Sequence, residues 1–519
     1  DGGETAKVTT LTQSPQSIVW SPDGKHIAFT RFVPATPPTL ADMPAKPKGA
    51  KWAEPATVVD RMTFRIDGGG YLPAGNLQVF VVPADGGTPR QMTSGNYPIS
   101  GSVAWMPDSQ SIIFSSNRRE NVEYHPDQND LYAASLTTDQ LTKMTDHAGP
   151  EGNPAVSPNG RYLAYTSAAD TRQGYNRADL RLMDLISGES RSLTADLDRS
   201  VSDIQWSADS KSLWIRYDNL GTAQIAEVDL KGNLKQADVV LGGTALGRPY
   251  TSGTFSVGGK DRIAYTLGRD DRPADLGLMR SGKQPLQLTD LNSDLMGQRQ
   301  MSRVERMTWP SSHDGLEIEG WVMKPPGFDP EKQYPMILEI HGGPHSAYGP
   351  NYSTEIQLFA AAGYVVFYIN PRGSTSYGEK FANEIDLAYP GYDYDDLISG
   401  VDALIDKGYV DSEQLFVTGG SGGGVLTAWI VGKTDRFRAA VVAKPVINWA
   451  SFVLTADLNY FFATTWFDAA PWENYESYWT RSPLSLVGNV STPTMLLTGE
   501  EDYRTPMSET EQYYQALKH

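Results

Sequence analysis

A serine held between glycines where an apolar strand gives way to a helix-forming segment is the arrangement that presents a hydroxyl for nucleophilic attack. Leu415 to Trp429 has this form, with Ser421 at the centre of a G-x-S-x-G pattern made by Gly419 and Gly423. The glycines are needed because the serine turn is strained, and side chains two residues to either side would collide as strand turns into helix. A flexible Gly-Ser loop or a phosphate cradle would use the same composition. The nearby Gly432-Lys433-Thr434 resembles the end of a phosphate-binding loop, but that motif needs a glycine where Thr427 stands, so the reading is rejected.

Acyl transfer through a serine also needs two preorganised N–H donors for the oxyanion. The turn His341-Gly342-Gly343-Pro344-His345 follows the apolar run Met336 to Ile340, and Gly343 is expected to supply one donor. Gly422, directly after the nucleophile, is expected to supply the other. His341 is a weaker candidate for the base, because it precedes the serine by 80 residues while the chain order of hydrolases is Ser, then Asp, then His. An acid that orients the base is sought in the polar turn after Leu496-Leu497-Thr498, where Asp502 lies 81 residues beyond Ser421 and Glu500 and Glu501 are rivals.

These candidates must be positioned by strands whose carboxyl ends meet. From about residue 300 onward, strand-like runs (Leu316 to Met323, Met336 to His341, Tyr364 to Asn370, Gln414 to Thr418, Ala439 to Ala443, Thr494 to Thr498) alternate with helical ones. Leu397, Val401, Leu404 and Ile405 fall on one helical face, with Asp395, Asp396, Asp402 and Asp406 expected on the solvent side. Strands alternating with helices imply a mostly parallel sheet covered on both faces, with chemistry at the strand tips.

The first 300 residues are built differently. A turn recurs as Trp20-Ser21-Pro22-Asp23-Gly24, Trp105-Met106-Pro107-Asp108, Val156-Ser157-Pro158-Asn159-Gly160, Trp206-Ser207-Ala208-Asp209 and Phe255-Ser256-Val257-Gly258-Gly259, at intervals of 85, 51, 50 and 49 residues. Alternating runs such as His26 to Thr30 and Tyr162 to Thr166 follow the turns, and a second strand pair trails each. Four short strands about every 50 residues make a β-propeller blade. The long first interval holds an extra blade or an insertion, and the Pro-rich stretch Pro34 to Pro55 favours some insertion, so six or seven blades are expected. The domains are therefore 1–300, a β-propeller, and 301–519, a catalytic α/β domain.

Composition narrows the function. A net charge of −18 leaves no basic surplus for a nucleic-acid backbone, so no nucleic-acid partner is expected. The longest near-apolar run, Leu358 to Ile369, is too short to span a membrane and contains Gly363. The absence of cysteine excludes disulfides, thiolate metal sites and a cysteine nucleophile. The first residue is Asp1, as in a trimmed protein, which favours export to the periplasm or beyond over the cytoplasm. Oligomeric state is left open.

The repeats followed by His341-Gly342-Gly343-Pro344, Asn370-Pro371-Arg372-Gly373-Ser374, Gly419-Gly420-Ser421-Gly422-Gly423 and Asp502-Tyr503-Arg504-Thr505-Pro506 resemble the prolyl oligopeptidase family of serine peptidases, nearest its acylaminoacyl-peptidase and dipeptidyl-peptidase-like bacterial branch. The resemblance covers nearly the whole chain. It implies an α/β-hydrolase catalytic domain, Ser421 as nucleophile, Asp502 as triad acid and Gly343 with Gly422 as the oxyanion hole. It also implies that Arg504 binds a substrate carbonyl or terminal carboxylate, with an ion pair to Glu500 or Glu501 as the bland alternative. Neither metal nor cofactor is implied, and oligopeptides are the implied substrates. Aromatic residues from Trp449 to Trp479 are candidates for an apolar specificity pocket, about half of them ordinary core.

The family's catalytic histidine should follow the acid by roughly 30 to 40 residues, but only 17 residues separate Asp502 from His519. The base is therefore expected beyond His519, and the catalytic domain is expected to lack its C-terminal segment. Two competing readings stand beside a peptidase: an esterase acting on small acyl esters, and a binding scaffold whose hydrolase domain has lost its base.

Overall fold

The computed structural model describes residues 5–36, 41, 44–53, 56–138, 140–259, 262–280 and 283–519. The chain divides into two compact units, Asp1–Val156 and Ser157–His519.

The first unit is antiparallel β-structure. One sheet joins Gln16–Trp20, His26–Pro34, Gly75–Pro83 and Arg90–Gln91; a second joins Ile99–Trp105, Ser111–Ser116, Asp130–Ser135 and Leu141–Lys143. The recurring turn owes its sequence to side-chain capping. The Ser21 hydroxyl donates to Asp23 Oδ1 (2.6 Å), and the Asp23 N–H donates to the Ser109 hydroxyl of the next turn (3.2 Å). The Trp105 indole donates to Val19 O (3.2 Å), which fills the gap between the two sheets.

Three further turn-led modules open the second unit. Their strands are Tyr162–Ser167, Asp179–Asp184 and Ser190–Ser192; then Val201–Trp206, Ser212–Asn219, Thr222–Asp229 and Leu234–Gln236; then Phe255–Gly258, Arg262–Leu267, Asp275–Arg280 and Leu286–Gln287. The same cap recurs, with Ser157 donating to Asn159 Oδ1 (2.7 Å) and the Asn159 N–H donating to the Ser210 hydroxyl (3.1 Å). Five modules are thus present among the described residues, fewer than the six or seven expected. Among its described residues the long first interval carries a small ribbon, Arg65–Ile66 with Gly70–Tyr71, and no further four-stranded sheet. Residues 37–40, 42, 43, 54 and 55 of the Pro34–Pro55 stretch lie outside the described residues.

A seven-stranded sheet follows, in the order Val304–Pro310, Glu317–Met323, Val365–Asn370, Tyr334–Ile340, Val410–Gly420, Ala439–Ala443, Thr494–Leu497. The first two strands run antiparallel to their neighbours and the rest are parallel. Val304–Pro310 has no counterpart in the sequence reading. It is an edge strand with one buried residue, Trp309, and so shows no apolar run. The helix Asp393–Ile405 forms as the spacing requires and buries Leu397, Val401 and Leu404, but Asp396 is not on its solvent side. That carboxylate is fully buried and receives the Arg372 guanidinium through Nε (2.9 Å) and Nη2 (2.8 Å).

The all-β modules give way to the mixed sheet between Gln287 and Val304, yet compactness groups residues 157–300 with that sheet, not with the first two modules. Close backbone contact within the second unit accounts for the grouping. A Cβ on Gly349 would lie 1.7 Å from Gly221 O, and one on Gly221 would lie 2.5 Å from the Trp321 ring. The Gly221 N–H donates to the Ser376 hydroxyl (2.8 Å), and the Leu220 N–H to Ser376 O (2.9 Å).

Candidate active site

The strand Val410–Gly420 lies between Tyr334–Ile340 and Ala439–Ala443, so its tip is at the centre of the parallel strands. There the chain turns through Ser421, whose φ of 58° and ψ of −119° are strained for a residue with a side chain, and enters the helix Gly422–Lys433. The Ser421 N–H donates to Ala443 O (3.0 Å) and fixes the bend. The flanking glycines are required by backbone. A Cβ on Gly419 would come 2.6 Å from Gly423 O, and one on Gly423 would come 2.1 Å from Ile340 O. Ser421 itself is half-buried, at the positive end of the helix dipole.

The neighbouring strand delivers the glycine turn to the same place. A Cβ on Gly342 would lie 3.4 Å from Ser421 Cβ, and one on Gly422 would lie 3.0 Å from Gly343 N. The Gly343 and Gly422 amides therefore stand side by side next to Ser421, and neither donates a hydrogen bond to another described residue. The arrangement can hold an oxyanion formed at a carbonyl attacked by Ser421.

His341 is buried beneath this turn. Its Nδ1 meets Gly342 O (2.7 Å), its Nε2 meets Ser374 Oγ (2.9 Å), and burial lowers its pKa to about 4. A neutral ring engaged at both nitrogens is not placed to deprotonate Ser421. His345 bonds Gly373 O through Nδ1 (3.0 Å), and burial lowers its pKa as well.

Asp502 lies in the turn after Thr494–Leu497, two strands from Ser421, since Ala443 pairs with both Gly420 and Leu497. Its Oδ1 accepts the Arg504 N–H (3.1 Å) and the Thr505 N–H (2.8 Å), and the group is half-buried, whereas Glu500 and Glu501 are exposed. Arg504 pairs with neither glutamate. Its Nε and Nη2 donate to the two oxygens of Asp457 (2.5 and 3.1 Å), a carboxylate that the sequence reading did not single out. His519 ends the helix Met507–Lys518 at an exposed position.

Much of the aromatic cluster is core: Trp449, Phe452, Phe467 and Tyr478 are buried, and the last two stack at 3.7 Å, while Trp472 and Tyr475 are exposed. Trp466 differs. With His345, Ile385, Tyr389 and Arg481 it lines a small pocket.

Two tyrosines at the site escaped the sequence reading. The Tyr389 hydroxyl donates to Gly422 O (2.8 Å) and pins the start of the helix that follows Ser421. The Tyr250 hydroxyl accepts the Gly342 N–H (2.9 Å) from a long connection between module strands. Neither lies in a motif or a periodic run; the one sequence signal is the length of that connection, from Ala237 to Thr254.

No helix among the described residues is long and apolar enough to cross a membrane, and no group of three or more metal-ligating side chains occurs among them.

Comparison with known proteins follows the same lines. Residues 350–519 match the prolyl oligopeptidase family, and residues 71–173 match the dipeptidyl peptidase IV N-terminal region. The chain is 33% identical, over all of its length and 79% of the relative's, to a Bacillus subtilis protein named uncharacterized peptidase YuxL. It is 27% identical to dipeptidyl-peptidase 5 of Porphyromonas gingivalis, over 77% of this chain and 59% of that one. The fold is shared with Pyrococcus horikoshii acylaminoacyl peptidase, at a TM-score of 0.81 and 22% identity over 98% of this chain and 75% of that one.

Proposed function

The chain belongs to the prolyl oligopeptidase family of serine peptidases, and on that premise we propose that Ser421 is the nucleophile that cleaves oligopeptides. A base takes the Ser421 hydroxyl proton as its oxygen attacks the scissile carbonyl carbon, and the Gly343 and Gly422 amides receive the negative charge that develops on the carbonyl oxygen. Collapse expels the amine, which takes the proton back from the base and leaves an acyl-enzyme. Water then enters by the same route in reverse and releases the acid.

Asp502, held by two backbone amides, serves as the acid that orients the base imidazole. His341 and His345 are engaged elsewhere, and neither is assigned as the base. Arg504, oriented by Asp457, is assigned to a substrate carbonyl or carboxylate. The preference for short peptides over folded proteins rests on the family and on the names of the relatives.

The observation that carries this reading is the left-handed Ser421 turn set against two unoccupied amides. The test is labelling of the full-length native protein with a fluorophosphonate probe, beside turnover of dipeptidyl and N-acyl-aminoacyl amides and the corresponding esters. Labelling at Ser421 with amide turnover, both lost in Ser421→Ala, is expected. Labelling with ester turnover alone would favour the esterase, and absence of labelling in folded protein would favour a scaffold.

A further inference from the structure

Gly342 lies between His341 and Gly343 in the oxyanion turn, and both of its polar groups are gripped by side chains, one of them from outside the turn. Its N–H donates to the Tyr250 hydroxyl (2.9 Å), and its carbonyl oxygen meets His341 Nδ1 (2.7 Å). In a trans peptide the carbonyl and the following N–H point in opposite directions. A hold on Gly342 O therefore sets the aim of the Gly343 N–H, the amide beside Ser421. A hold on the Gly342 N–H fixes the peptide before it, and the glycine has no side chain to resist rotation.

Tyr250 comes from the module connection and is itself rigidly placed. The segment around it is stitched to residues 347–355: the Thr251 N–H donates to Ala347 O (3.1 Å), the Gly349 N–H to Pro249 O (2.9 Å), and Ser353 Oγ to Gly247 O (2.8 Å). The Tyr250 ring meets Tyr348 edge-on at 4.8 Å. The adjoining Arg248 is held at Nε by Glu355 (3.1 Å) and Glu339 (3.3 Å). Of these contacts, that of the Tyr250 hydroxyl reaches the turn beside the nucleophile, and a hydroxyl carried merely to satisfy solvent would not need so braced a backbone.

We propose that Tyr250 is a positioning residue for catalysis: from the connection before the last β-module it fixes the His341–Gly342 peptide and so anchors the turn from which the Gly343 amide is aimed at the oxyanion. The proposal rests on the peptidase reading above. It deepens that reading by making a module residue part of transition-state stabilisation instead of substrate admission.

The test is Tyr250→Phe in the full-length native protein, which keeps the ring and its contact with Tyr348 and deletes the acceptor. Losing an oxyanion donor outright costs about 100- to 1,000-fold in kcat; misaiming one is expected to cost roughly tenfold or more, with KM within about twofold. The rate of fluorophosphonate labelling should fall in parallel, because phosphonylation uses the same amides, while the unfolding midpoint stays near that of the parent. Unchanged kcat and labelling rate would overturn the proposal, as would a fall in kcat that tracks lost stability. Ser421→Ala run alongside separates the two levels: turnover surviving there would overturn the peptidase reading itself.

Discussion

Arg504 closes its guanidinium fork on Asp457, whose side chain has no solvent exposure, while the arginine side chain retains 38%. A planar donor pair bound to both carboxylate oxygens is oriented far more tightly than one paired with a surface glutamate. The carboxylate is in turn tied to the acid turn, since the Asp457 N–H donates to Tyr503 O (2.9 Å). Arg504 thus links the segment after Trp449–Thr455 to the turn that carries Asp502.

Arg504→Ala is expected to take the guanidinium away from a buried carboxylate and cost about 2 kcal/mol, below the 3–5 of a fully buried pair because the arginine side is partly exposed. Urea unfolding of the variant, and of the Arg504→Ala, Asp457→Ala pair, checks this: the double variant should recover part of the loss. A rise in KM from Arg504→Ala beyond that caused by Asp457→Asn would report its contact with substrate.

Gly422→Ala is expected to leave the fold intact and cut kcat about 100-fold. The added methyl would come within 3.0–3.1 Å of Gly343 N, C and O, so the two amides must part. Steady-state kinetics beside a thermal melt distinguishes this outcome from simple misfolding.

Arg372 makes hydrogen bonds to Asp396, Asp314 and Ser311 from a nearly buried position. Its replacement by Leu should therefore destabilise the protein by about 3–5 kcal/mol, since Asp396 is left charged and buried. The partner Asp314, brought down to about 2 chiefly by its bond to Arg372, gives an acid signature. Its contribution is full above about pH 4 and disappears as pH falls toward 2, so Asp314→Asn should flatten the acid limb of the unfolding curve.

His341 gives a signature at milder pH. Its pKa is about 4 in the fold against an ordinary 6.5, so below 6.5 the unfolded chain binds the proton first. Stability from this group is complete above pH 6.5 and is lost as pH falls through 4, a change of about 3 kcal/mol. Asp393, raised to about 7 by burial, acts with the opposite sign between 3.8 and 7. The difference between parent and His341→Gln melting curves isolates the histidine, and a flat difference would exclude the buried neutral ring.

What the sequence made legible was set by local constraint. The Ser421 elbow could be read because steric need fixes its glycines in adjacent positions, and the helix Asp393–Ile405 because burial repeats along one face. Asp396 was misplaced because its burial depends on Arg372, distant in sequence, and no periodicity records such a partner. The partnership of Arg504 with Asp457 was invisible for the same reason, and Tyr250 more so, since it acts through a backbone amide that any residue possesses. The module number was hardest to read where the repeat is interrupted: 85 residues between turns is compatible with another blade, and among the described residues that interval carries the small ribbon of Arg65–Ile66 with Gly70–Tyr71.

The contact between Gly221 and Gly349, where even a methyl group has no room, bears on how such a molecule can be rebuilt. Repeats are often treated as interchangeable cassettes, yet the fourth has a surface cut to fit one particular enzyme core. A chimaera joined near residue 300 would ask a foreign hairpin tip to sit against Trp321 without the mutual shaving that permits it. Grafts spliced before the strand Glu151–Val156 keep that fit, and the whole sheet from Glu151 to Ser192, inside a single parental piece, and shuffling experiments should find viable hybrids clustered there.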